Sequence, residues 1–142
     1  MTIEHVTRYH EEVLTALQRL LPQLKAGTTI TEAWLRTLLE DGCIRLYVVR
    51  DEAGHIAGSC TLALQRLPTG LKAWLEDVVV DARQRGRGLG RALVRHAIAE
   101  ARRLGAEKLD LTSSPERTAA NALYQKEGFL RRQTNIYRMI LK

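Results

Sequence analysis

The sequence predicts a mixed α/β domain in which helices flank one central sheet. Three observations carry this reading. Apolar residues recur at helical spacing in several separate stretches, the longest starting at Leu89. Strand-like runs joined by turn residues fill the middle of the chain. The last long strand-like run leads through a glycine-rich break straight into a helix. The chain has 142 residues, 45% hydrophobic and 27% charged, which is the size and composition of one ordinary globular domain.

Residues 2–7 read as a short first strand. Over 8–21, Val13, Leu14, Leu17, Leu20 and Leu21 share one side of a helix, with Pro22 expected just beyond its end. Thr31 has the chemistry of an N-cap for a second helix carrying Trp34, Leu35, Leu38 and Leu39, which Asp41-Gly42 ends. Residues 43–50 and 55–66 read as strands around the turn Asp51-Glu52-Ala53-Gly54. Pro68-Thr69-Gly70 turns the chain into a third strand over 71–80. The apolar run at its end suggests burial on both faces. After the break at 81–88, Leu89, Leu93, Ala97, Ala101 and Leu104 mark a helix that Gly105 stops. Residues 107–112 read as a strand, and Ser113-Ser114 as caps for a helix over 118–126 that ends at Gly128. The tail 129–141 has two β-like halves.

The net charge is +6, and seven arginines fall between Arg83 and Arg103. Such a local cluster predicts an anionic partner carrying phosphates. Nucleic acid is a poor fit: aromatics make up 5% of the chain and none lies within 75–123 to stack on bases. No run of about 18 apolar residues suggests a membrane span. The N-terminal stretch has no basic region followed by an apolar one, so the expected compartment is the cytoplasm. Cys43 and Cys60 are far apart and outside any C-x-x-C pair, which predicts free thiols and no zinc site. The histidines form no H-E-x-x-H pair, and no metal is expected.

The segment Arg85-Gly86-Arg87-Gly88-Leu89-Gly90-Arg91 sits between strand and helix. Its glycines permit a sharp turn and close backbone approach to a ligand. The helix start supplies unpaired N–H groups and the positive end of its dipole. Together they form an anion site. The spacing is G-x-G-x-G, so neither the dinucleotide pattern G-x-G-x-x-G nor the Walker pattern ending in lysine is present.

These residues resemble the GNAT superfamily of acyl-CoA-dependent N-acetyltransferases. Its pattern Arg/Gln-x-x-Gly-x-Gly/Ala is met by Arg85-x-x-Gly88-x-Gly90. A second segment, Asn121-Ala122-Leu123-Tyr124-x-Lys126-x-Gly128-Phe129, resembles the family's Asn-x-x-Tyr-x-x-x-Gly-Phe. The stretch Glu76-Asp77-Val78-Val79-Val80 is similar to glucosamine-6-phosphate N-acetyltransferases, and 85–130 to aminoalkylphosphonate acetyltransferases. The resemblance implies a single GNAT domain over 1–142 with a mixed, mostly antiparallel sheet.

It also implies acetyl transfer from acetyl-CoA to a primary amine by direct attack. The backbone of Gly86 to Arg91, flanked by Arg85, would take the CoA pyrophosphate. The main chain of Val78, Val79 and Val80 would pair with the pantetheine arm. Asn121 would hold the pantetheine or its own helix. Tyr124 would protonate the leaving thiolate. Glu76 is the candidate base, with Asp77 in reserve. Alternation along the strand puts Glu76 on a face with Trp74 and Val78. The acceptor is expected to be a small molecule meeting the first two helices, the 22–31 loop and the 65–74 hairpin. The basic charge favours a phosphate or carboxylate on it, although CoA itself can account for that charge. Tail edges at 130–141 would pair in a homodimer. The rival readings are an acetyl-CoA-binding regulatory module without turnover, which the presence of Glu76 and Tyr124 opposes, and acetylation of protein lysines or N-termini.

Overall fold

Five strands form one sheet in the order β1-β2-β3-β4-β5 in the computed structural model, which describes residues 1–142. They are β1 (Thr2–Val6), β2 (Ile44–Arg50), β3 (Ile56–Leu67), β4 (Gly70–Val80) and β5 (Lys108–Asp110). The first four are antiparallel to their neighbours, and only β4 with β5 is parallel. The helices are α1 (Glu11–Leu24), α2 (Glu32–Glu40), α3 (Leu89–Arg103) and α4 (Thr118–Lys126). The chain divides into two compact units, Met1–Thr112 and Ser113–Lys142. No helix is long and apolar enough to cross a membrane.

Both faces of the sheet in the first unit are covered. One core joins Val13, Leu17 and Leu20 of α1 and Leu35 of α2 to Leu46, Val48 and Val79 of the sheet. Thr31 caps α2 as its chemistry predicts, its hydroxyl accepting from the Trp34 N–H at 3.1 Å. That bond contributes about 1 kcal/mol. Burying Leu35 contributes about 2 kcal/mol or more, so packing outweighs the cap in holding α2. On the other face α3 buries Leu93, Val94 and Ala97. There Tyr47 is fully buried between the rings of His5 and His96, and its hydroxyl donates to Glu100 at 3.3 Å. Burial, then the Glu100 charge, pushes its pKa up to about 12. Both cysteines are free, and burial raises the Cys60 thiol to about 12, so it is inert.

Gly58 shows how tightly β3 and β4 meet. A Cβ there would stand 2.8 Å from the carbonyl oxygen of Val79 and 3.0 Å from Cγ1 of Val49. The nearest atom is backbone, so the strands would have to part. Gly58→Ala is expected to destabilise the chain by about 1–3 kcal/mol, read as a lower denaturation midpoint; an unchanged midpoint would show that the ladder can yield there.

Several sequence expectations need correction. The first helix does not stop before Pro22 but contains it, running on to Leu24. The proline gives up one bond in the final turns, and the pattern resumes with the Lys25 N–H on the Leu21 carbonyl at 3.0 Å. The strand read at 107–112 shrinks to Lys108–Asp110. In the second unit the residue before α4 is Arg117, with no side-chain cap; Ser114 serves by its carbonyl, not its hydroxyl. Residues 129–142 form no strand, despite their β-like composition. Ladder pairing requires a neighbouring strand, and pattern alone does not supply one.

Candidate active site

The ladder between β3 and β4 breaks its own register at the centre of the sheet. Thr61 faces Glu76 and Ser59 faces Val79, so Cys60 alone stands opposite two residues, Asp77 and Val78. This is a β-bulge with one extra residue on β4. Asp77 takes the turn with φ of 52°, the only residue other than glycine with positive φ. Aspartate tolerates the left-handed region better than most residues, and such strain concentrates at functional sites.

The bulge resets the alternation of side chains. Glu76 shares its face with Trp74 and Val79, because their partners Thr61, Ala63 and Ser59 lie two apart on β3. Val78 therefore belongs to the opposite face, contrary to the simple alternation read from sequence. The expected burial of the strand on both faces also holds only in part. Val79 is buried, Val78 and Val80 are half-buried, and Glu76 and Asp77 are exposed.

Asp77 lines a cavity of about 320 Å³ under α1 and α2. Its apolar wall comes from Leu17, Leu21 and Leu24 of α1, Trp34 and Leu38 of α2, and Leu46 of β2. Lys25, Thr28, Thr29 and Ile30 close it from the connecting loop, and Ser59 and Thr61 from the sheet. The Ser59 hydroxyl already donates to the Tyr47 carbonyl at 3.1 Å. Glu76 stands beside this cavity in the ladder, opposite Thr61. Although the side chain is exposed, partial desolvation of its carboxyl, then the neighbouring Asp77 charge, raises its pKa above the usual carboxylate value. Of the regions expected to meet the acceptor, the helices and the 22–31 loop line this cavity and no residue of 65–74 does. Within that hairpin Trp74 instead donates to Gln65 at 3.1 Å and carries the Lys72 ammonium on its ring.

On the far side of β4 the ladder to β5 ends at the pair Trp74 and Asp110. Residues 75–80 therefore run on without pairing to β5. Such an edge offers backbone groups to a ligand laid alongside it. Val78 to Val80, the sequence candidates for that role, lie on this stretch.

The edge leads directly into the arginine-glycine loop. Asp81 caps a 3-10 turn over Ala82–Gln84 by accepting from the Arg83 N–H at 3.1 Å. Gly86 and Gly88 then adopt φ of 81° and 79°, and nothing lies within 4 Å of where a Cβ would stand. Glycine is needed there for backbone conformation, not for space. Gly88 is the N-cap of α3, and its carbonyl accepts the Ala92 N–H at 3.0 Å. The N–H groups of Leu89, Gly90 and Arg91 precede that first bond, so the helix itself does not satisfy them. Leu89 is buried and anchors the turn, while Arg85, Arg87 and Arg91 are exposed. A pyrophosphate fits such a start, where N–H groups, dipole and guanidinium charge act together.

Sequence reasoning missed what holds this loop. Arg19 of α1 pairs with Asp81 at 3.5 Å and donates to the Ile56 carbonyl at 2.6 Å. The Gln23 side-chain oxygen accepts from the Ala82 N–H at 2.8 Å. Asp51, in the β2–β3 turn, accepts from Gln84 at 2.6 Å, which together with backbone donors lowers its pKa. The sequence distances are too long for any local signal to reveal these ties.

In the second unit Tyr124 is half-buried on α4. Its ring meets Phe129 edge to face at 6.0 Å, and its carbonyl accepts the Phe129 N–H at 3.0 Å. The Asn121 amide donates to the Ser114 carbonyl at 2.9 Å, so it fastens the entry to its own helix. Lys126 is exposed. No group of three or more His, Cys, Asp and Glu side chains is arranged to hold a metal ion.

A bulged, mostly antiparallel sheet whose open strand edge feeds a glycine-rich helix start matches the class of acetyltransferases that the sequence resembles. Comparison with known proteins agrees. The profile of the acetyltransferase (GNAT) family matches residues 9–129. Glucosamine 6-phosphate N-acetyltransferase 1 of Oryza sativa subsp. japonica is 33% identical over 126 residues, covering 82% of this chain and 74% of that protein. The crystal structure of a Trypanosoma brucei acetyltransferase superposes with a TM-score of 0.79 at 26% identity, over 98% of this chain and 99% of the other. Glucosamine-6-phosphate N-acetyltransferase from Arabidopsis thaliana shares the fold, with a TM-score of 0.77 at 22% identity over 98% and 99% of the two chains. The chain belongs to the GNAT family and is an acetyltransferase.

Proposed function

We propose that residues 1–142 act as one acetyl-CoA-dependent N-acetyltransferase domain that acetylates the primary amine of a small molecule within a ternary complex. The observation that carries this reading is the β4 bulge. It sets Glu76 and Asp77 beside a cavity, on the strand that leads into the anion-binding start of α3. Asp77 attracts the ammonium. Glu76 takes its proton, and the freed amine attacks the acetyl carbon. The N–C bond forms as the C–S bond breaks, Tyr124 gives its proton to the departing thiolate, and the second proton shed by the nitrogen restores the phenol. The N–H groups of Leu89 to Arg91 and the arginines around them hold the pyrophosphate, with the main chain of Val78 to Val80 guiding the pantetheine arm. The shift at Glu76, upward from the ordinary carboxylate value, is in the direction that makes it a stronger base, which favours catalysis over a purely regulatory acetyl-CoA module.

Thiol release from acetyl-CoA in the presence of amines tests this, with glucosamine 6-phosphate, the acceptor in the rice relative's name, as reference. Turnover with a small amine supports the reading. Calorimetric binding of acetyl-CoA without turnover on any amine would favour the regulatory module instead.

The tail supplies the case for a homodimer. Ile136, Tyr137, Met139, Ile140 and Leu141 are each more than two-thirds exposed. Apolar residues of such β-forming composition, left in water, favour pairing with a second copy. The chain is expected to sediment as a dimer, and the double substitution Ile136→Glu with Ile140→Glu to sediment as a monomer. A monomeric parent chain would remove the proposal.

A further inference from the structure

The cavity beside the bulge is lined in larger part by apolar side chains, with Lys25 its single positive charge. Its charged lining is one carboxylate, Asp77, and one ammonium, Lys25, with Glu76 adjoining. Counting Glu76, the local balance is one negative charge. That attracts an ammonium and repels a phosphate dianion. The arginine cluster of the chain sits instead on the loop and α3, beyond the end of β4. Of the hydroxyls present, that of Ser59 is already spent on the Tyr47 carbonyl. Those of Thr28, Thr29 and Thr61 remain, and the rest of the wall is leucine, isoleucine and one indole.

Trp34 makes the point sharply. It follows the cap of α2 closely, lines the cavity, and is 61% exposed, although its neighbour Leu35 is fully buried. A large aromatic face left in water at the rim of a leucine-lined cavity is suited to cover an apolar ligand.

We infer that the acceptor is an amine on an apolar body, an arylalkyl- or alkylamine without a phosphate, seated with its nitrogen at Asp77 and its body against Leu21, Leu38 and Trp34. This names the substrate class of the proposed acetyltransferase site and rests on that reading. The reaction is unchanged: the amine gains the acetyl group, CoA leaves as the thiol, and no further reactant is needed.

Two measurements test it. In thiol-release assays with acetyl-CoA, 2-phenylethylamine is expected to exceed glucosamine 6-phosphate in kcat/KM by about tenfold or more, the scale on which apolar pockets discriminate. Trp34→Ala is expected to lower kcat/KM for 2-phenylethylamine by about tenfold, chiefly through KM, at an unchanged melting temperature because the side chain is largely exposed. A tenfold preference for glucosamine 6-phosphate, or a Trp34→Ala variant indifferent to the apolar amine, overturns the inference. Calorimetry with each amine alone separates it from the enzyme reading. Binding of 2-phenylethylamine that Trp34→Ala weakens, without acetyl transfer, supports the cavity's specificity and removes the catalytic proposal; absence of binding and of turnover with 2-phenylethylamine overturns the inference itself.

Discussion

Tyr124→Phe is expected to lower kcat by about a hundredfold or more, leaving KM for acetyl-CoA unchanged. The substitution deletes one hydroxyl and keeps the ring. The edge-to-face contact with Phe129 and the backbone bond from the Phe129 N–H to the Tyr124 carbonyl involve no phenolic oxygen, so both survive. A residue that serves only by packing would therefore be nearly indifferent to the change. A proton donor would not. Expelling a thiolate is eased when a group of similar acidity protonates it, and a phenol near pKa 10 lies close to a thiol near 8.5. General acid catalysis of this kind is worth about 10²- to 10⁴-fold. Steady-state kinetics at saturating amine decide the matter. A kcat within a few-fold of the parent would remove Tyr124 from the chemistry and leave it as a wedge between α4 and Phe129.

Much of this fold can be read from local pattern, and the reasons differ by element. Thr31 announces α2 because capping is a contact between residues three apart. Gly86 and Gly88 announce the loop because few other residues accept their positive φ. Gly105 stops α3 for the same reason, at φ of 86°. What stayed hidden depends on partners distant in sequence. The bulge at Asp77 exists only in the register of β4 against β3, and nothing in Glu76-Asp77-Val78 marks which residue is supernumerary. Strict alternation therefore put Val78 on the wrong face. The ties from Arg19, Gln23 and Asp51 to the loop are all long-range, the shortest being Asp51 to Gln84 at 33 residues, with Gln23 to Ala82 at 59. The tail shows the opposite failure: its composition is that of strands, but strand formation needs a neighbour to pair with.

Glu76→Gln carries the second large effect, a fall in kcat/KM of about a hundredfold or more near neutral pH, together with a change in the shape of the pH profile. Glu76 accepts the ammonium proton only as a carboxylate, so activity in the parent chain must fall as pH drops through its pKa. That pKa lies above the ordinary 4.5, first because burial disfavours the charged form and then because Asp77 repels it. Removing the Asp77 charge in Asp77→Asn deletes the second cause and leaves the first. The acid limb of the profile should move to lower pH without reaching the ordinary carboxylate position. In Glu76→Gln the limb should vanish, leaving a low rate that climbs with the fraction of free amine. Stability should move the other way. A carboxyl whose pKa is raised by folding contributes stability below its unfolded pKa and loses it as pH rises through the folded value, so at neutral pH the neutral glutamine should melt higher than the parent. A group held in place only to pair with an arginine would show the reverse on both counts, with a lowered pKa and a variant that melts lower. Activity profiles and melting curves across the acidic to neutral range therefore separate a base from a structural carboxylate, and a Glu76→Gln variant that keeps the parent's acid limb would pass the role to Asp77.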